Sequence, residues 1–398
     1  MNEGEDKHKE GEMPALAILF THFAPYHIDR IEAAAARLKG RVRVLGVECA
    51  SAEETYDWEA RRPTSEAEYL TLFPGRNYED IGRLERLTAY AEQLRHCEWL
   101  LSGIPWSEPD MVALSWRRRA KGRNIVAMTC SKFDDKPRNL MREQVKGKLL
   151  QGYSSAIVAG PRSRDYLRFL GFDEGVILPG YNSLSVERIR AQAPQREVAW
   201  EGRAFTYVGR LVGKKNLPTL LEGYRRYLGD TSANARDLVL VGDGPMRGEL
   251  EAMAASLGIA ERVEFAGQTD SAGVSAHLSR ALALCLVSTE EQWGNVVNEA
   301  VALGIPSIVS ANVGARDALV RGGVSGHVVD AASPGSIARA MSATAASESN
   351  WQAMSRAASE RAWLADAERF ADAVELLVDP KHGPVGQVER FWKECETD

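Results

Sequence analysis

The chain lacks several features, and each absence narrows what it can be. In its 398 residues there is no run of about 18 apolar residues, the minimum a membrane-spanning helix requires. There is no Cys-x-x-Cys pair. The five cysteines, Cys49, Cys97, Cys130, Cys285 and Cys395, are scattered and odd in number, which argues against a structural zinc site or a disulfide framework and for a reduced, cytoplasmic setting. There is no basic excess either: the formal net charge of −6 counts against a general nucleic-acid binder. No segment of roughly 20–50 residues recurs three times, which argues against a solenoid. No Asp-x-Asp closes an apolar run where a divalent ion would sit, and Asp366-Ala367-Glu368 falls in a helical stretch. The charged opening has no apolar segment of the secretory kind, and residues 1–13 are expected to form a disordered tail.

What remains is the composition of a globular protein, 44% hydrophobic and 26% charged, in a chain too long for one ordinary core. Short apolar runs alternate with amphipathic segments, the pattern of βαβ units in parallel sheets. In the first half, strands are expected at 16–20, 43–47, 99–102, 124–129 and 155–158, and helices at 28–38, 78–94, 110–119 and 162–170. A polar, weakly periodic stretch at 183–202 reads as a linker. Strands then follow at 205–208, 238–241, 263–265, 283–287, 307–309 and 327–329. Helices are expected at 217–227 and 246–257, then over much of 337–377, with a last one at 388–395 carrying Phe391 and Trp392. The expected architecture is two doubly wound Rossmann-like domains facing a cleft. The first covers 14–190 and is completed by the segment 381–398; the second covers 200–380. Ligands of such sheets bind at the carboxyl ends of the strands.

Four segments of the second half carry chemistry. The first strand there ends in Val208-Gly209-Arg210-Leu211-Val212-Gly213-Lys214-Lys215-Asn216. Arg210 and Lys215 leave the strand end where two cations can clamp a diphosphate; a solvated basic loop is the alternative. Gly242-Asp243-Gly244-Pro245 reads as a turn opening a helix. Arg262 to Gly267 either packs or offers its backbone to a base edge. The most informative segment runs from Ser288 to Ala300. There Glu291 and Glu299 flank a Trp293-Gly294-Asn295 turn between an apolar run and a helix. Such a turn aims the amides of Gly294, Asn295 and Val296 at an anion, and the carboxylates can accept hydrogen bonds from sugar hydroxyls. Acids favoured at a helix N-terminus would explain Glu290, but not Glu299 or the glycine.

Taken in order, these segments resemble the C-terminal domain of retaining glycosyltransferases of family 4, with the GT-B fold. The resemblance runs from Phe205 to about Asp330 and includes Gly304-Ile305-Pro306 and Gly326-His327-Val328. It implies that Arg210 and Lys215 hold the donor diphosphate and Glu291 the sugar hydroxyls. Glu299 would hold the ribose, and Gly209 and the amides of 294–296 would complete the donor site. It also implies metal-independent transfer from a UDP- or GDP-sugar to a saccharide or lipid-linked glycan, with no further cofactor.

The first half departs from the family pattern. Its first loop is Thr21-His22-Phe23-Ala24-Pro25-Tyr26-His27 in place of a Gly-Gly pair. Cys130 to Arg138 lacks the usual histidine. Ser131 or Lys132 facing the donor sugar, Asp134 or Asp135 orienting an acceptor hydroxyl, and His22 or His27 lining the cleft stand beside plain capping or loop roles. The basic run Arg117 to Arg123 reads as helix-dipole compensation, or as contact with an anionic membrane face presenting the acceptor. Two other functions fit the same residues: a nucleotide-sugar epimerase, and a non-catalytic sugar-nucleotide binder.

Overall fold

The computed structural model describes residues 13–52, 66–194, 198–230 and 235–396. The expected tail therefore lies outside the described residues except for Met13. The first strand, β1 (Ala15–Phe20), is apolar and buried at every position, as befits a parallel strand covered on both faces. It leads into α1 (Pro25–Leu38), which starts on a proline whose missing N–H the first turn does not need. Next come β2 (Arg43–Ala52), β3 (Glu68–Asn77), α2 (Arg83–Gln93), β4 (Trp99–Ser102) and α3 (Pro109–Ala120). The domain continues through β5 (Asn124–Thr129), α4 (Leu140–Leu149), β6 (Ser155–Val158), α5 (Pro161–Phe169), β7 (Ile177–Leu178) and α6 (Val186–Gln192). The seven strands form one sheet in the order β3-β2-β1-β4-β5-β6-β7, with every neighbouring pair parallel.

The second sheet repeats the plan. It begins with β8 (Ala204–Val208), α7 (Leu217–Asp230), β9 (Leu238–Val241), α8 (Arg247–Ser256), β10 (Val263–Gly267) and α9 (Ser271–Ser279). It continues with β11 (Ala281–Leu286), α10 (Asn295–Ala302), β12 (Ser307–Ser310), α11 (Arg316–Leu319) and β13 (Gly326–Val329). Six parallel strands run β10-β9-β8-β11-β12-β13. The order reverses between β8 and β11, which places the opening for a ligand at their carboxyl ends. Helices α12 (Pro334–Thr344), α13 (Glu348–Glu360), α14 (Ala362–Ala365), α15 (Glu368–Val378) and α16 (Val385–Glu396) close the chain.

Strands β3 and β7 and helices α4, α6, α9 and α11 go beyond the sequence expectation, α6 lying inside the stretch expected to be a linker. Strand β3 contains Pro74-Gly75, which reads as a turn; it sits at the sheet edge, where proline is tolerated. Strand β7 is two residues long, and α4 carries a mixed pattern with an exposed apolar side.

The return to the first domain begins earlier than residue 381. Helix α15 already packs there: Phe370, Ala373 and Val374 share a core with Leu16, Ile18 and Ile31. Arg37 of α1 reaches Asp372 at 2.6 Å and Glu375 at 3.2 Å, and also pairs with Glu368. Helix α16 spans the seam. Val388 joins the first-domain core, whereas Phe391, expected on the first domain, is buried with the second-domain core. Trp392 lies beneath Arg164, 4.6 Å from ring centroid to guanidinium.

The two chain crossings lie side by side. Leu184 N–H donates to Ala365 C=O (3.0 Å) and Ala367 N–H to Leu184 C=O (2.8 Å). Beside them Asp29 of α1, 1% exposed at its side chain, receives Arg188 of α6 at 2.7 Å and the Ser185 N–H at 3.0 Å. Arg188 also reaches Ser271 Oγ at 3.0 Å, tying this pair to the second domain. Removing one partner of such a buried pair costs about 3–5 kcal/mol because the other charge stays buried. Asp29→Ala is therefore expected to lower the denaturant midpoint clearly, and an unchanged midpoint would show that the hinge pair adds nothing.

Candidate active site

The carboxyl ends of β8 and β11 face the first domain across a cleft of about 860 Å³. Gly209, Arg210, Lys215, Glu291 and residues 294–296 all line it, so these expected donor-site residues are brought together. Lys215 Nζ is paired with Glu291 Oε2, and Ser288 Oγ lies 3.4 Å from the same oxygen. Gly294 sits at φ +100°, the left-handed region, where an added Cβ would come within 2.8 Å of Leu286 Cδ2. That turn lets the start of α10 face the cleft. In the same sheet, a Cβ on Gly242 would stand 2.0 Å from the Gly209 carbonyl oxygen, so the ends of β8 and β9 approach through backbone alone.

The loop after β8 is fixed by Asn216, which has φ +59°. Its amide donates to Val287 C=O at 3.1 Å and Ala331 C=O at 2.8 Å, and its Oδ1 accepts from Thr219 Oγ1 at 2.8 Å. Lys214 C=O accepts from the Thr289 N–H at 2.9 Å. The loops bearing Lys215 and Glu291 are thus bonded to each other on both sides of the ion pair.

Glu299 lies a turn further into α10, outside the lining of this cleft and half-buried. Burial pushes its carboxyl up to about 7; Arg188 pulls it down and Asp29 raises it.

The first-domain candidates are separated by the structure. His27 lines the cleft, stacked on Phe20 with ring centroids 3.9 Å apart, and burial holds its imidazole well below the usual range. His22 does not line it; its Nδ1 lies 3.9 Å from Glu48 Oε2. Ser131 and Asp135 line an adjoining cavity of about 620 Å³ that shares Cys130, Tyr181, Lys214 and Glu291 with the main cleft. Lys132 does not present its ammonium to a sugar: it is 2% exposed and paired with Asp135 at 2.7 Å. Asp134 is drawn to Arg162 at 2.8 Å, and Arg162 also binds Asp317 and the Val313 carbonyl of the second domain.

Further polar contacts close the seam. Gln292 Nε2 donates to Asp135 at 3.3 Å, Asn182 Nδ2 to Asn295 Oδ1 at 3.1 Å, and Asn298 Nδ2 to Asn182 C=O at 2.7 Å. In the basic run 117–123, Arg118 is 5% exposed, its guanidinium spent on the carbonyls of Leu94, Cys97, Glu98 and Asn124. It is a strut and not part of a basic surface. Sequence reasoning missed Arg30, Tyr181 and Gln292 as cleft residues. Among the described residues no group of three or more His, Cys, Asp or Glu side chains is arranged to hold a metal ion, and no helix is long and apolar enough to cross a membrane.

Two parallel-sheet Rossmann-like domains facing a cleft define the GT-B fold. The structure of the Anabaena protein Alr3699/HepE in complex with UDP superposes with a TM-score of 0.69 at 14% identity, over 92% of this chain and 100% of that one. Residues 190–361 match the family described as glycosyl transferases group 1. A lipopolysaccharide core biosynthesis glycosyltransferase, LpsE of Rhizobium meliloti (strain 1021), is 34% identical over 134 residues, 34% of this chain and 37% of that protein. A lipopolysaccharide 1,6-galactosyltransferase of Salmonella typhimurium is 27% identical over 189 residues, 46% of this chain and 49% of that protein. The chain spans half or less of the length of these curated relatives.

The Glu299 environment makes a stability prediction. A carboxyl whose folded value is raised adds stability that is full below its unfolded value of 4.5 and is lost as pH rises through about 7. Glu299→Gln should raise the denaturant midpoint of the unliganded protein relative to wild type at pH 8 and change it little at pH 4.5. An equal difference at both pH values would count against a buried, raised carboxyl.

Proposed function

We propose that the protein is a retaining, metal-independent glycosyltransferase of family 4. It transfers a sugar from a UDP- or GDP-sugar to a saccharide or lipid-linked glycan in polysaccharide or lipopolysaccharide synthesis. The observation that carries this reading is the Lys215–Glu291 pair at the strand-order reversal, beside the left-handed Gly294 that opens α10 onto the cleft. A cation and an acid held a bond apart suit a ligand that is anionic at one end and hydroxyl-rich at the other. The names of the relatives, which concern lipopolysaccharide, point to the same class of product.

In this mechanism Arg210 and Lys215 hold the diphosphate and offset the charge that builds on it as the glycosidic bond breaks. Glu291 accepts hydrogen bonds from the sugar hydroxyls; Glu299, one turn behind the cleft lining, takes the ribose where the donor seats against α10. The amides at 294–296 meet the sugar and phosphate. The acceptor oxygen bonds to the anomeric carbon on the face the phosphate leaves, and the departing phosphate oxygen takes the acceptor's proton. The seam contacts of Arg162, Gln292 and Asn295 keep the domains together over the cleft, which limits water and hence donor hydrolysis. Exposed cations of the 117–123 run would face an anionic membrane leaflet bearing a lipid-linked acceptor.

With a panel of UDP- and GDP-sugars and saccharide acceptors, Arg210→Ala and Lys215→Ala are each expected to lower kcat about 10²–10³-fold, the scale of losing one stabiliser of developing charge. Full activity in Arg210→Ala would sink the diphosphate assignment. Incubation with donor alone should leave the sugar nucleotide intact; a released epimer would identify an epimerase, and tight donor binding without transfer to any acceptor a binding protein.

A further inference from the structure

Arg30, on α1, is a cation buried without an anion at the edge of the cleft. The residue is 1% exposed and its guanidinium carbon lies 4.9 Å from the Tyr181 ring centroid, 5.1 Å from Tyr26 and 5.6 Å from Phe20. Its Nε donates to the Tyr26 carbonyl at 2.9 Å, within the same helical turn. Its Nη1 is buried with no hydrogen-bond partner. Asp29, whose charge acts on Arg30 through space, spends its oxygens on Arg188 and the Ser185 N–H.

Other buried cations of this domain are provided for. Arg86 meets Asp110 and Glu108, Lys132 meets Asp135, and Arg118 meets four carbonyls. Aromatic faces compensate a guanidinium only in part, and a buried charge left short of partners is costly. A cost of this kind is met when a ligand brings the missing anion.

Position decides which ligand. Arg30 lines the cleft together with Tyr26, His27 and Tyr181, across from Arg210, Lys215 and Glu291. On the donor reading given above, on which this inference rests, the diphosphate is met by second-domain cations, so Arg30 faces a different group. We propose that Arg30 is a specificity-determining residue that binds an anionic substituent, a carboxylate or phosphate, on a sugar lying at the first-domain side of the cleft. A planar guanidinium fits such a group through two parallel hydrogen bonds, and the flanking Tyr26 and Tyr181 rings offer faces to the sugar. The charged sugar is either the transferred one or the acceptor.

Calorimetry on the full chain separates these sources. The donor arm compares UDP, UDP-glucose and UDP-glucuronic acid, with GDP, GDP-mannose and GDP-mannuronic acid alongside. The acceptor arm, with UDP or GDP saturating, compares glucose, glucuronic acid and glucose 1-phosphate. Wild type is expected to favour the acidic ligand about tenfold or more in one arm, the scale of a hydrogen-bonded charge pair. Arg30→Gln should erase that preference while leaving neutral-ligand Kd within about twofold, and Arg30→Lys should keep part of it. Equal binding of neutral and acidic sugars by wild type in both arms would overturn the proposal alone. So would a loss in Arg30→Gln that is the same for every ligand. The wild-type comparison decides even where Arg30→Gln fails to fold. Absence of binding by any nucleotide or nucleotide-sugar would instead overturn the donor reading, and this inference with it.

Discussion

The cleft depends on a single residue held in a left-handed backbone. Asn216 tolerates that conformation better than most residues because its short amide can bond locally. Here the amide bonds to the ends of two other strands' loops, at Val287 and Ala331. Lys215 is its direct neighbour, and Glu291 lies four residues beyond Val287. The distance between the cation and the acid is therefore set by a hydrogen-bonded backbone, not by two flexible side chains finding each other. A glycine at 216 would keep the turn and lose the ties; an alanine would lose both.

The electrostatics follow from that frame. Within the cleft the two charges answer each other, so neither is buried alone. Under the proposed function, a ligand carrying phosphate at one end and hydroxyls at the other would substitute for both partners at once. Little reorganisation is then needed, which is the condition under which fixed charges act most strongly on a developing one. The first domain works differently. Apart from Arg30, charged groups near its side of the cleft are committed to other duties: Lys132 to Asp135, and Asp134 to Arg162.

This contrast explains what could be read from the sequence. The second-domain side of the cleft is built from glycines, charged residues and turns close together along the chain, so Gly209-Arg210, Lys215-Asn216 and the 291–299 segment announce themselves as patterns. The buried strands β1 and β11 were equally legible, being apolar throughout. Arg30 was not, since an arginine in an amphipathic helix looks like a solvated one. Its burial comes from Tyr181, brought beside it only by tertiary packing. Arg118 misled in the same way, sitting in a basic run yet turned inward onto carbonyls. The docking of α15 was illegible because an alanine-rich amphipathic helix does not say which core it covers.

That last helix also sets an order on how the protein is made. The sheet containing β1 lacks its cover over Leu16, Ile18 and Ile31 until residues 368–378 have emerged from the ribosome, after the whole of the second sheet. The second sheet, β8 to β13, precedes that helix in the chain, although its core too is completed only by Phe391 of α16. Nascent chains in that interval are the species most exposed to aggregation and chaperone capture, although the sheet they leave uncovered is translated before the other.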